Sequence, residues 1–228
     1  MRNLPASSLA KALASGQPVI TAEITPPVGG DPSHALEMAE GLRGQVQAFN
    51  VTDGSRAVMG MSSLALCRLL LERGLEPILQ LGCRDRNRIA LQADLLGAHA
   101  LGIRNVLCLT GDPVKAGNQP EARAVFDLES VRLLRQVQQL NAGIGPVGKP
   151  LADGSPALFP GAAADPQSAS WSGLTSRMRR KAEAGARFVQ TQMVMDASAL
   201  QRFCTEIAAP LSVPVLAGVF LLKSAKNA

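Results

Sequence analysis

NVLCLTGDPV, residues 105–114, decides how the chain is read. Val106 through Thr110 form a short apolar run, and the chain then turns through Gly111 onto the carboxylate of Asp112. A run that is apolar on both faces is what a parallel-sheet strand looks like, because packed layers cover both of its sides. A strand of that kind ending on an acid held between Gly and Pro raises the question of what the acid is for.

Outward from this stretch the same pattern recurs. VITAEI (19–24), QAFNVT (47–52), PILQLG (77–82), ALFPGAA (157–163), RFVQTQ (187–192) and PVLAGV (214–219) join it to give seven strand candidates. Between them HALEMAEGL (34–42), SSLALCRLLLERG (62–74), RIALQADLLGAHALG (88–102), DLESVRLLRQVQQL (127–140) and SALQRFCTEIA (198–208) carry apolar residues at helical spacing. This βαβα alternation calls for a parallel sheet, since parallel neighbours need crossover connections. An open doubly wound sheet and a barrel both satisfy it. A closed (βα)8 barrel takes about 250 residues, and this chain ends at Ala228, soon after the seventh run. We therefore expect a single-domain α/β fold whose last helix–strand–helix portion is missing, either an open or completed-in-trans variant or a truncated product. FLLKSAKNA (220–228) reads as the start of a further helix. NAGIGPVGKPLADGSP (141–156) reads as a long surface connection, either a plain loop or a lid.

Composition narrows the chemistry. The apolar fraction of 46% over 228 residues supports one sizeable core. MRNLPASSLAKAL at the start is not a secretory leader, and no run of about 18 apolar residues suggests a membrane span, so the expected location is the cytoplasm with no membrane contact. Cys67, Cys83, Cys108 and Cys204 lack any C-x-x-C spacing, which favours reduced, mostly buried thiols over a disulfide framework or a zinc ribbon. With His34 and His99 as the two histidines, a Ser-His-Asp triad or a multi-histidine metal centre is not expected. A net charge of +5 could point to nucleic acid. The basic residues are spread along the chain, however, and six Phe, one Trp and no Tyr leave little to stack on bases. A solvated basic surface that draws anionic small molecules is the simpler reading.

The polar residues fall where the apolar runs end. Glu23 closes the first run, Thr52 and Asp53 the second, Cys83-Arg84-Asp85 the third, Thr110-Gly111-Asp112 the fourth and Thr191-Gln192 the sixth. In a parallel barrel the active site is assembled from the carboxyl ends of several strands, so these residues converge on one mouth. Singly, each aspartate could cap a helix or shape a turn. Glu23 is followed by Pro26-Pro27, where no helix begins at once. A Glu and an Asp with an amide from Gln192 suit a ligand rich in donors and acceptors that needs a proton on nitrogen. No dinucleotide-binding G-x-G-x-x-G follows the first run, and no phosphate-binding P-loop motif is present. CRDRNR (83–88) and LTSRMRRK (174–181) could each be a charged solvent face or a clamp for phosphates or a polyglutamate tail.

TAEITPP, NVTDGS, CRDRNRIALQADLLGA, NVLCLTGDP, FDLESV and KAEAGARFVQTQ, in that order, resemble the methylenetetrahydrofolate reductase family from about residue 18 onward. The resemblance implies a TIM-type (βα)8 barrel, one catalytic domain over 1–228 lacking its final C-terminal helix–strand–helix portion, that carries FAD and reduces 5,10-methylenetetrahydrofolate to 5-methyltetrahydrofolate, with NADH, NADPH or another electron donor, in one-carbon and methionine metabolism. By the same resemblance Glu23 is the general acid, Asp112 holds the pterin and lies near the flavin, and Gln192 hydrogen-bonds folate or nicotinamide. Thr52, Asp53 and Ser55 line the flavin and nicotinamide. Thr110, Gly111, Phe159, Arg177, Arg180 and Lys181 contact FAD, the basic trio neutralising its pyrophosphate. Gln80 stands where better-known members carry a histidine near the adenine, Thr110 where they carry an arginine, and Ala163, Ala225 and Met193-Val194-Met195 stand at positions of a second histidine and of aromatics. No metal is implied. A second reading is a non-catalytic or auxiliary folate-binding homologue that docks a partner enzyme, and a third is a tetrahydrofolate-dependent methyltransferase. Strand edges left by a seven-unit barrel would favour a homo-oligomer.

Overall fold

The computed structural model describes residues 7–220. Its strands are β1 (Thr21–Ile24), β2 (Ala48–Val51), β3 (Pro77–Gly82), β4 (Asn105–Leu109), β5 (Phe159–Ala164), β6 (Phe188–Met193) and β7 (Val215–Gly218). Each pairs in parallel with the next in sequence order, giving a nearly closed TIM-type barrel of seven strands. Among the described residues β1 and β7 do not pair with each other. Helices α1 (Ser8–Ala14), α2 (Ser33–Gly41), α3 (Ser63–Glu72), α4 (Arg88–Ala100), α5 (Ser130–Asn141), α6 (Trp171–Glu183) and α7 (Ala197–Phe203) complete the fold, and α7 runs on through a π-helical turn at Cys204–Ala208. Ala225 and the anticipated helix after Phe220 lie outside the described residues.

Side chains alternate across each strand, and the two faces bury different sets. Phe49, Val51 and Leu79 face outward onto Leu36, Leu66 and Leu70 of α2 and α3. Leu81, Val106 and Cys108 meet Leu91, Leu95 and Leu134 of α4 and α5. The alternate residues Ala48, Ile78, Leu107, Phe188 and Leu216 face inward and close around Leu9. Leu9 belongs to α1, whose seven residues are too few for a readable period. Its docking is fixed by charge: the Glu76 carboxylate at the start of β3 accepts from the backbone N–H groups of Ser8 at 3.0 Å and Leu9 at 2.9 Å. An acid at a helix N-terminus satisfies otherwise orphaned donors and complements the helix dipole. Asn105 Nδ2 donates to the same carboxylate at 2.9 Å, tying α1 to β4 as well.

One local boundary departs from the helical pattern for a visible reason. The helix expected from Asp127 starts at Ser130, because Glu129 turns its carboxylate onto the N–H groups of Val131 and Arg132 and so caps it. The segment 141–156 joins a helix to the following strand, which places it at the barrel end opposite the strand termini. There Asn141 exchanges hydrogen bonds with Leu158, and His99 Nδ1 accepts from Ala157 N. It is a pinned connection and not a lid over the mouth.

The apolar end of the barrel depends on one glycine. The Phe188 ring lies directly over Gly161, and a Cβ at that position would overlap the ring. Phe159 stacks on Phe188 at 5.4 Å between ring centres. We predict that Gly161→Val destabilises the chain by about 1–3 kcal/mol in urea unfolding, and that adding Phe188→Leu recovers part of the loss.

Candidate active site at the carboxyl end of the barrel

Above the Phe188 plug the interior opens into a cavity of about 850 Å³. That lies within the range of small-molecule and cofactor sites. Its walls come from the carboxyl ends of all seven strands, and they include Glu23, Thr52, Asp53, Ser55, Gln80, Thr110, Gly111, Asp112, Arg177, Lys181 and Gln192. The convergence follows from alternation: the same inward positions that are apolar lower in the barrel become Glu23, Asn50, Thr52, Gln80, Gln190 and Gln192 higher up.

Glu23 stands at the upper end of β1, an exposed residue whose side chain opens to the cavity, so the walls desolvate it only in part. Among the described residues it has neither an ion pair nor a hydrogen bond, and the surrounding walls raise its pKa by desolvation. Asn50, its register partner on β2, donates from Nδ2 to Thr21 Oγ1 at 3.1 Å. The oxygens Asn50 Oδ1, Thr52 Oγ1 and Gln190 Oε1 are buried and have no partner. Buried polar atoms are normally paired, so unpaired ones lining a cavity point to a ligand rich in polar hydrogens. Asn50 and Gln190 were not singled out from the sequence, although both interrupt apolar runs at inward positions.

The charged residues at the ends of β2 and β3 are paired within the chain. Asp53 lines the cavity, yet its carboxylate is saturated by Arg86 at 2.7 Å, Gly82 N at 2.9 Å and Ser63 Oγ at 3.2 Å. Arg86 also pairs with Asp94 at 2.8 Å. Arg84 pairs with Asp85 at 2.7 Å and donates to the Gly54 carbonyl at 3.0 Å. Arg88 pairs with Asp127 at 3.3 Å. The arginines of CRDRNR are thus each paired with a carboxylate of the chain, which favours the charged-face reading of that motif.

Asp112 answers the opening question in part. One carboxylate oxygen, Oδ2, accepts from Arg56 N at 2.8 Å, which joins the loop after β4 to the loop after β2. Asn118 Oδ1 reinforces the join by accepting from Met59 N at 3.0 Å. Gly111 is required because its φ is +95° and a Cβ there would press on Arg84 Cβ at 3.0 Å. The neighbour it approaches in this structure is therefore Arg84.

The second basic motif divides. Arg177 and Lys181, one turn apart on α6, line the cavity; Arg180 is exposed and does not. Lys181 Nζ donates to the Ala163 carbonyl at 2.6 Å, and burial, then nearby Arg177, lower its pKa. Phe159 opens β5 at the plugged end and lies outside the cavity. The structure therefore does not bring Phe159 and Arg180 to the site. The cysteines are all free thiols, and burial pushes that of Cys83 up to about 12. No helix among the described residues is long and apolar enough to cross a membrane.

A barrel with a polar mouth and a plugged floor defines the class, and comparison with known proteins gives the family. The sequence profile of methylenetetrahydrofolate reductase matches residues 8–228, and the chain belongs to that family. A Caenorhabditis elegans protein named "Probable methylenetetrahydrofolate reductase (NADPH)" is 26% identical over 149 residues, which are 64% of this chain and 20% of that protein. The chain thus matches about a fifth of that relative's length. Among solved structures, an uncharacterized Clostridium thermocellum protein that binds two copies of 5-methyl-5,6,7,8-tetrahydrofolic acid superposes with a TM-score of 0.63 at 12% identity, covering 92% of this chain and 68% of that one. A 2,3-dimethylmalate lyase of the PEP mutase/isocitrate lyase superfamily gives 0.62 at 15% identity over 97% and 76%. At such identities these neighbours speak to the fold alone.

The raised pKa of Glu23 has a stability consequence. A carboxyl whose folded pKa lies above its unfolded value binds more protons folded than unfolded, so its contribution is fully present below the unfolded pKa and is lost as pH rises through the folded one. Glu23→Gln removes the cost of holding the ionised form in the cavity. We predict that it raises the thermal unfolding midpoint at pH 8 relative to the parent chain and that the gain disappears at pH 4.

Proposed function

We propose that this chain binds FAD and a folate in the mouth of the barrel and, as a single cytoplasmic catalytic domain, reduces 5,10-methylenetetrahydrofolate to 5-methyltetrahydrofolate for methionine synthesis. The observation that carries the reading is Glu23: an unpaired carboxyl, kept neutral more readily than usual by its walls, facing a cavity that also holds Asp112 and Gln192. Membership of the family, the name of the nematode relative and the folate bound by the clostridial neighbour point the same way.

The residues present fit a flavin. The oxygens of Thr52 and Gln190, unpartnered among the described residues, ask for the N–H and O–H donors that flavin and pterin rings and a ribityl chain carry. Arg177 and Lys181 supply cations for a diphosphate, and Thr52, Ser55, Thr110 and Gly111 supply the adjoining wall. When bound, FAD would accept hydride from a reduced nicotinamide such as NADH or NADPH and return it to the one-carbon unit.

The chain's own part is binding, orientation and a proton. Asp112 Oδ1 remains to accept pterin N–H groups while Oδ2 keeps the Arg56 loop in place. The Gln192 amide, which makes no side-chain hydrogen bond among the described residues, can donate or accept and so can serve folate or nicotinamide in turn. Glu23 holds its proton for the nitrogen of the methylene bridge. Protonation turns that nitrogen into a leaving group and exposes an electron-poor carbon, which is general acid catalysis by a carboxyl with a raised pKa. Asp53 acts at one remove, holding Gly82 and Ser63 so that the β2 and β3 ends keep their shape.

The test separates the two half-reactions under anaerobic conditions. Glu23→Gln should slow reoxidation of the reduced flavoprotein by methylenetetrahydrofolate by about 10²-fold or more, while reduction by the nicotinamide keeps most of its rate. Equal loss of both would remove Glu23 from the acid role.

A further inference from the structure

We propose that Asn50 is a positioning residue that keeps the proton on Glu23, its amide oxygen accepting a hydrogen bond from the protonated carboxyl. The inference rests on the reductase reading for its catalytic meaning and on geometry for its substance. Glu23 and Asn50 are register partners on neighbouring parallel strands and both line the cavity. Strands in a sheet lie about 4.8 Å apart, so side chains at such positions meet. Asn50 is 3% exposed, and its Nδ2 is committed to Thr21 Oγ1, the inward residue one step down β1. An amide whose nitrogen is tied back in this way presents its oxygen elsewhere. That oxygen is buried and unpartnered, and the next inward residue on β1 is Glu23.

Chemistry then fixes the protonation state. A buried amide oxygen can only accept, and an ionised carboxylate can only accept, so the two repel when Glu23 is charged. A protonated Glu23 is a donor and satisfies both groups. A hydrogen bond to the neutral form favours that form. Among the described residues no other charge substitutes for this contact. The further charged groups lining the cavity are Asp53, Arg84, Asp112, Asp165, Arg177 and Lys181, and none pairs with Glu23. Asp53 is bound by Arg86 and Arg84 by Asp85. β2 brings no charged residue, and α2, packed on β1 from outside, carries His34, Glu37 and Glu40, the last paired with Arg43. The direction of the Glu23 shift, which burial alone already raises, agrees with the assignment.

The experiment is a carboxyl-carbon NMR titration of the ligand-free 228-residue chain labelled with [5-13C]glutamate, the Glu23 resonance being the one lost in Glu23→Gln. Asn50→Leu should lower the Glu23 midpoint by roughly one pH unit, the effect of losing one hydrogen bond to the neutral acid. Asn50→Ser, which keeps a short acceptor, should restore part of it. The alkaline limb of the folate half-reaction should move down by the same interval. An unmoved or raised midpoint overturns the proposal. If Asn50→Leu does not fold, Thr21→Val decides: freeing Nδ2 should also lower the midpoint, and no change overturns the assignment. The titration needs neither flavin nor folate. A chain that reduces no methylenetetrahydrofolate yet shows the lowered midpoint would defeat the reductase reading and support the contact; an active reductase with an unmoved midpoint would do the reverse.

Discussion

The stacking of Phe188 over Gly161 divides the barrel interior in two, and the rest of the molecule is arranged around that division. Seven parallel strands turn alternate side chains inward whatever those side chains are. A core must be close-packed, yet a site must leave room. The chain meets both demands at different heights. Phe159, Phe188 and Leu9 fill the lower end, with Gly161 giving up its side chain so that a ring can occupy the axis. Above them polar residues too short to meet across the opening leave the cavity. The α1 helix is part of the same device, since the Glu76 carboxylate seats it where Leu9 completes the floor.

Charge is spent in an orderly way. Arg84, Arg86 and Arg88 are neutralised by aspartates of their own neighbourhood, and the pair between Arg86 and Asp53 is well shielded from water. Removing one partner of such a pair strands the other, which is why these residues hold the strand ends rigid. Glu23 by contrast has no ion pair among the described residues, and its raised pKa follows from desolvation that no neighbouring cation offsets. Arg177 and Lys181 are left for a ligand, with Lys181 oriented by the Ala163 carbonyl. The basic balance of the chain therefore says less about its ligand than the two cations that line the cavity without an ion pair.

Much of the fold was legible in the sequence. Each strand begins within two residues of its apolar run, because buried parallel strands need continuous apolar stretches and crossovers need amphipathic helices. The position of Glu23 and Asp112 at strand ends was legible for the same reason. What escaped notice required partners distant in sequence. The α1 helix is too short to show a period and is held by an acid at position 76. The commitment of CRDRNR to Asp53, Asp94 and Asp127 depends on side-chain pairing that no local pattern encodes. Phe159 shares a strand with mouth residues but enters it at the wrong end, and Arg180 sits on the right helix but on the wrong face. Asn50 was visible as a polar break in QAFNVT, and its meaning came only from the register that sets it beside Glu23.

The central claim is that the polar half of the barrel holds a flavin. The most direct measurement is the visible absorption spectrum of the purified chain after incubation with FAD and removal of free cofactor by gel filtration. The account predicts a retained flavin band in stoichiometric amount, reduced in proportion when Arg177 and Lys181 are both replaced by neutral residues. A colourless chain that takes up no FAD would contradict it and would leave the mouth as a folate-binding surface without redox chemistry.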